Sequence, residues 1–219
     1  MSTLPQSFLT DVVNSVFTTP TVKVAMFYDD GTATLDATTT WGSIEPYVIA
    51  EGYLGTAWLD LGVAPIDVIA DGGDFAVGFA SKQIDFTRDT STNLLTVNGI
   101  VVFQYDATVD TIAGATDVNF VAPNLIQSGV TDFTTAFTDG DTIFVSGAAD
   151  SANNGFFTAV SVTANQIELT EQTLVGASGD TITITHTNHK LVSFQSSGSD
   201  LDINANEGLT AFITGGTTS

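Results

Sequence analysis

His186 and His189 stand three residues apart in this chain of 219 residues, with Glu171 and Asp180 close by in sequence. A His-x-x-His pair on one helical turn can share a zinc ion, because imidazole nitrogens and carboxylates are its usual ligands. Here Thr183 to Thr185 reads as strand and the pair straddles a junction. The plainer reading is two solvated loop histidines, and no metal is expected. Asp29-Asp30, Asp71/Asp74 and Asp139/Asp141 are acidic turn clusters. Hard cations want several carboxylate and carbonyl oxygens, so calcium at one of them stays an open alternative. None has the spacing of an EF-hand loop, and Asx geometry alone explains Asp and Gly in turns.

A glycosidase would need two carboxylates facing a cleft. With 25 acidic residues some pairs fall close together by chance, so proximity carries no weight. No Gly-x-Ser-x-Gly, P-loop or dinucleotide fingerprint is present. No catalytic residue and no cofactor are assigned, and enzymatic activity is not expected. Trp41, Tyr47, Tyr53 and Trp58 form the candidate interaction surface. They could make an aromatic platform for a sugar or receptor; the plainer reading is core and interface aromatics.

Charge narrows the partners. Lys23, Lys82, Arg88 and Lys190 are the four basic residues against 25 acidic ones, a formal net charge of −21. A nucleic-acid binder carries a basic stripe, and anionic membranes would repel this chain, so neither is an expected partner. A basic protein surface, divalent cations or solvent remain. A hydrophobic fraction of 43% argues against disorder, and only 13% of residues are charged. Absent cysteines exclude disulfides and thiolate chemistry. The start MSTLPQSFLTDVV lacks a signal-peptide pattern and no apolar run approaches a membrane span, so synthesis in the cytoplasm without an anchor is expected.

The elements that must position these residues are mostly strands. Ser7 to Phe17 has a helical period, with Leu9, Val12, Val13, Val16 and Phe17 on one face. Such a helix most simply covers a sheet edge; an oligomer contact is the alternative. Thr21 to Tyr28 alternates as a strand, and Thr38 to Ile49 reads as an irregular loop with an edge strand. Short strands follow at Thr56 to Val63 and Ile66 to Ala70, then a longer alternating stretch from Phe75 to Phe86. Leu94 to Tyr105 is the most apolar strand region, and Ile100 to Phe103 looks buried on both faces.

Composition shifts after Asp106. Val109 to Gln127 carries no strong period, and Val130 to Thr185 reads as a compact module with strands at 142–146, 155–162, 166–170 and 181–185. Asn153-Asn154-Gly155 is a strong hairpin signal, because Asn and Gly tolerate the positive φ that primed turns require. Leu191 to Phe194 and Leu209 to Thr214 are again strands, too few and short to form a domain alone. They most simply complete the sheet begun earlier, making the middle an insertion. The fold class expected is all-β: a β-sandwich outer domain over 1–108 and 186–219 with a short N-terminal helix, and a small inserted β-domain over 109–185.

Two stretches carry a resemblance. Phe137 to Ile143 and Asn154 to Val162 are similar to an F-x-x-G-D-x-I-x-V-S-G … N-N-G-x-F-T-V-x-x-V pattern, and Gln166 to Thr170 to its x-I-T-L-T strand. The pattern belongs to a small β-module of tailed-bacteriophage structural proteins. More loosely, Thr21 to Met26, Glu51-Gly52-Tyr53, Ile84-Asp85-Phe86, Gly99 to Tyr105, Leu191 to Phe194 and Ile203 to Ile213 resemble small phage virion proteins. The insertion breaks the usual short connection after Tyr105. The resemblance implies a virion protein that binds the major capsid protein or another virion component, as a homo-oligomer with a trimer favoured. Capsid decoration is the expectation it favours. The alternative is a tail fibre, tail-tip or baseplate component that binds a host receptor or glycan.

Overall fold

The computed structural model describes residues 22–32, 35–36, 39–49, 58–61, 66–71, 74–87, 95–203 and 208–218. The expected helix at Ser7 to Phe17 lies outside them. Five strands come first: β1 (Val22–Phe27), β2 (Leu59–Asp60), β3 (Ile66–Asp71), β4 (Asp74–Thr87) and β5 (Leu95–Gln104). Between β1 and β2 lies one helical turn, α1 (Trp41–Ile44), running into a 3-10 turn at Glu45–Tyr47. Six strands follow: β6 (Val109–Val121), β7 (Leu125–Ser128), β8 (Thr142–Ser146), β9 (Gly155–Thr163), β10 (Gln166–Leu169) and β11 (Ala177–Thr187). The last two are β12 (Lys190–Ile203) and β13 (Gly208–Thr218). The fold is all-β.

The chain divides into two compact units. One comprises 1–105 and 189–219; the other is the continuous stretch 106–188. The composition boundaries at 108/109 and 185/186 each fall three residues inside the second unit. Asp106 accepts the Thr108 amide there, and Asn188 donates to Asp110 across the base of β6 and β11.

In the first unit β12, β5, β1 and β2 form one sheet in that order, and β13, β4 and β3 form another. Alternation sends β1 side chains to opposite faces, and both faces are covered. Val22, Val24 and Met26 meet Ile84 and Phe86 of β4 on one side. Ala25 and Phe27, with Val101 and Phe103 of β5, meet Trp41 and Ile44 on the other. Of the four residues Ile100 to Phe103 expected to be buried, Val101, Val102 and Phe103 are, while Ile100 is partly buried. Of the expected irregular loop Thr38 to Ile49, residues 39–49 are described and are more ordered than that. Tyr28 and Ile49 donate to the Tyr47 and Met26 carbonyls, both at 2.9 Å, binding the segment to the end of β1.

Gly99 sits opposite Phe27 in the β1–β5 ladder. A Cβ built there overlaps the Phe27 ring and comes within 2.8 Å of the Gln195 carbonyl oxygen. Phe27 is fully buried and cannot step aside cheaply. Gly99→Ala is therefore expected to destabilise the first unit by about 1–3 kcal/mol, the usual cost of overpacking. Urea unfolding followed by tryptophan fluorescence reads this, since Trp41 and Trp58 both lie in that unit; an unchanged midpoint would contradict it.

The second unit is a closed six-stranded barrel in the order β10-β7-β6-β11-β8-β9. Four strands were expected; β6 and β7 are the additions. Gly114 and Asp117 both take φ of 61°, and the β6–β11 register shifts repeatedly along the ladder. Such bulges insert unpaired residues, so the inward Ala115, Val118 and Phe120 do not follow a simple period of two. The hairpin signalled by Asn153-Asn154-Gly155 is present, but without a short primed turn. β8 and β9 pair antiparallel, but their connection spans Gly147 to Asn154 and contains a 3-10 turn at Ser151–Asn153.

Both asparagines work through their side chains. Asn154 donates to the Ala148 and Asp150 carbonyls and accepts the Ala148 amide. Asn153 is fully buried and brackets Val175, accepting its amide and donating to its carbonyl, both at 2.9 Å. Removing one partner strands the others, so Asn153→Ala is expected to cost about 2 kcal/mol. Loss of amide-exchange protection at Val175 and along 147–154 is the readout. Unaltered exchange would show the bracket to be dispensable.

Small barrels are filled by side chains, and this one is packed with Ile, Leu, Val and Phe. Phe133 and Phe137 reach the core from the β7–β8 connection instead of from a strand. Asp132 caps the turn that presents Phe133, accepting the Thr134 amide at 3.0 Å. Among the described residues no helix is long and apolar enough to cross a membrane.

Candidate functional site

Of the four aromatic candidates, Tyr53 lies outside the described residues. Trp41 is only 4% exposed, its ring 4.3 Å from that of Phe103. Tyr47 and Trp58 are partly buried against the same cluster, and Tyr47 also meets the Thr32 hydroxyl at 3.2 Å. Trp58 lies edge-on to Phe103 at 5.6 Å and close to Tyr105 at 5.7 Å. Its Nε1 is buried with no acceptor among the described residues. Trp41 is thus no part of an exposed platform, and agrees with the plainer reading of a core aromatic: the indole covers the second face of β5.

The centre of this cluster is a residue assigned elsewhere. His189 is buried, and its ring lies 4.9–5.3 Å from Trp41, Trp58, Phe103 and Tyr105. Lys23 adds a cation over the Tyr105 face at 4.9 Å and an ion pair to Asp60 at 2.9 Å. Phe103 and Tyr105 were accessible to reading, since residues two apart on a strand share a face. His189 was not, because nothing local ties it to that face.

His186 belongs to the barrel. Its Nδ1 donates to the Thr142 carbonyl at 2.8 Å, and Nε2 lies 3.7 Å from the Asp141 carboxylate. Neither histidine is a solvated loop residue, which corrects that reading. Among the described residues no three His, Cys, Asp or Glu side chains are grouped to hold a metal ion.

The acidic turns have local work for their carboxylates. Asp29 and Asp30 accept the amides of Gly31 and Thr32. Asp139 accepts the Val162 amide at 2.7 Å, and Asp141 accepts that of Thr138 at 2.7 Å. Asp71 and Asp74 are register partners at the end of the β3–β4 ladder. Asp85 accepts from Gln83 and Thr210, and these hydrogen bonds hold its carboxyl below the ordinary range. In the other sheet, Asp200 of β12 is the main cause of a raised Tyr28 phenol pKa, followed by burial and Asp30.

The barrel's outer surface offers a different feature. Phe144 and Phe156 are directly opposite on β8 and β9, with ring centroids 4.8 Å apart, yet 38% and 36% exposed. No protein-family model matches this chain, and no curated protein matches it either.

Proposed function

We propose that this chain is a structural protein of a tailed-bacteriophage particle, placed on the head as a decoration protein bound to the major capsid protein. The observation that carries this reading is the closed acidic barrel interrupting a β-built unit. The residues of the phage-like pattern are those that make its β8–β9 ribbon. Phe137, Ile143, Val145, Phe157 and Ala159 point inward, while Gly140 and Asp141 turn the chain into β8. On this reading the protein acts by contact, and oligomerisation lets several weak contacts act together through effective concentration.

A chain of net charge −21 docks on a complementary basic patch, so attachment weakens as salt screens it. Quantitative mass spectrometry of purified particles tests the assignment. Hundreds of copies per particle agree with a head protein. A handful would move it to the tail tip, neck or baseplate, and none would end the proposal.

A further inference from the structure

We infer that the outer face of the β8–β9 ribbon, centred on Phe144 and Phe156, is a docking surface for a basic, partly apolar protein segment. The inference stands apart from the particle reading, since it needs only the barrel and its charge.

Three observations lead to it. First, β8 lies between β11 and β9, and β9 between β8 and β10, so this ribbon is not the open edge of a sheet for a partner strand to join. Contact must be made by outward side chains. Second, Phe144 and Phe156 are cross-strand partners with touching rings, and Val160 continues the outward stripe of β9 at 51% exposure. Large aromatic groups in contact, left open to water on neighbouring strands, are the usual centre of an interface.

Third, charge identifies the occupant. Residues 106–188 hold ten of the acidic residues and none of the lysines or arginines. Several of these carboxylates rim the ribbon. Asp139 and Asp141 stand at the entry to β8, and Glu171 accepts the Thr158 amide between Phe156 and Val160. Asp180 accepts the Ala149 amide in the β8–β9 connection. His186, the unit's one histidine, is already held against Thr142 and faces Asp141. An apolar centre inside an unneutralised anionic rim is complementary to Lys or Arg interleaved with aliphatic side chains. A second copy of the same face would bring like charges together, which disfavours self-pairing there.

The test uses the full chain and two synthetic peptides of equal charge, one alternating Lys and Leu, the other Lys and Ser. The Lys/Leu peptide is expected to bind more tightly. Phe144→Thr with Phe156→Thr should raise its Kd about tenfold while leaving the Lys/Ser peptide unchanged. Threonine is β-branched and suits a strand, and circular dichroism checks that the barrel persists. NMR titration of the unsubstituted protein gives an independent reading, with amide shifts expected on 142–146 and 155–163. Equal affinity of the double variant, or shifts confined to 1–105 and 189–219, would overturn the proposal. So would a self-association seen in sedimentation and abolished by the double variant, which would make the occupant a second copy.

Discussion

Phe103→Ala is expected to remove about 3–5 kcal/mol from the first unit, enough to unfold a domain of ordinary stability. Phe103 is fully buried, and Trp41, Trp58 and His189 all pack on its ring. Truncation leaves a cavity that three stiff rings cannot collapse to fill, so the cavity cost adds to the lost transfer energy. Tryptophan fluorescence should shift to longer wavelength at low denaturant, because both tryptophans of the chain lie in this cluster. A midpoint within a few tenths molar of the parent would contradict the account of β5 as a strand covered on both faces.

Phe133→Ala is expected to have an effect of the same size, about 3–5 kcal/mol, in the other unit. The ring is completely buried within the barrel core although it comes from a connecting turn. Its loss opens the barrel interior and leaves Asp132 capping a turn that no longer anchors anything. Hydrogen exchange separates the two variants. Phe133→Ala should lower protection along β6 to β11, and Phe103→Ala along β1, β5 and β12. Loss of protection spread evenly over both units from either substitution would contradict separate cores.

How far the sequence could be read follows from its periodicity. Regular alternation exposed β1 and β4, and the unbroken apolar run of residues 100–103 exposed a doubly covered strand. β6 escaped because Gly114 and Asp117 bulge it, turning a period of two into an irregular pattern. The Asn153-Asn154-Gly155 signal marked a hairpin but not its turn, because asparagine side chains have two uses. Here Asn154 ties up the backbone of its own connection and Asn153 reaches distant Val175, whereas turn logic supplies only a positive φ.

The candidate site was less legible for a related reason. His186 and His189 are three apart, a spacing that shares a face on a helix but reverses faces along extended chain. Their partners, Thr142 and Asp141 for one and four aromatic rings for the other, are remote in sequence. Core packing was the plainer reading of Trp41, but its partner Phe103 lies 62 residues on and cannot be picked out from the local segment. Phe144 and Phe156 lie on separate strands, and only the register places them side by side on the outside.

The central claim is that this acidic, two-unit β-protein works by occupying a place on a phage head. Electron microscopy of purified particles labelled with an antibody against the chain tests it most directly. The expected image shows label distributed over the head shell, diminishing after washing in high salt as screening weakens a charge-complementary contact. Particles that carry no label at any ionic strength, with the protein recovered only from the surrounding lysate, would contradict it.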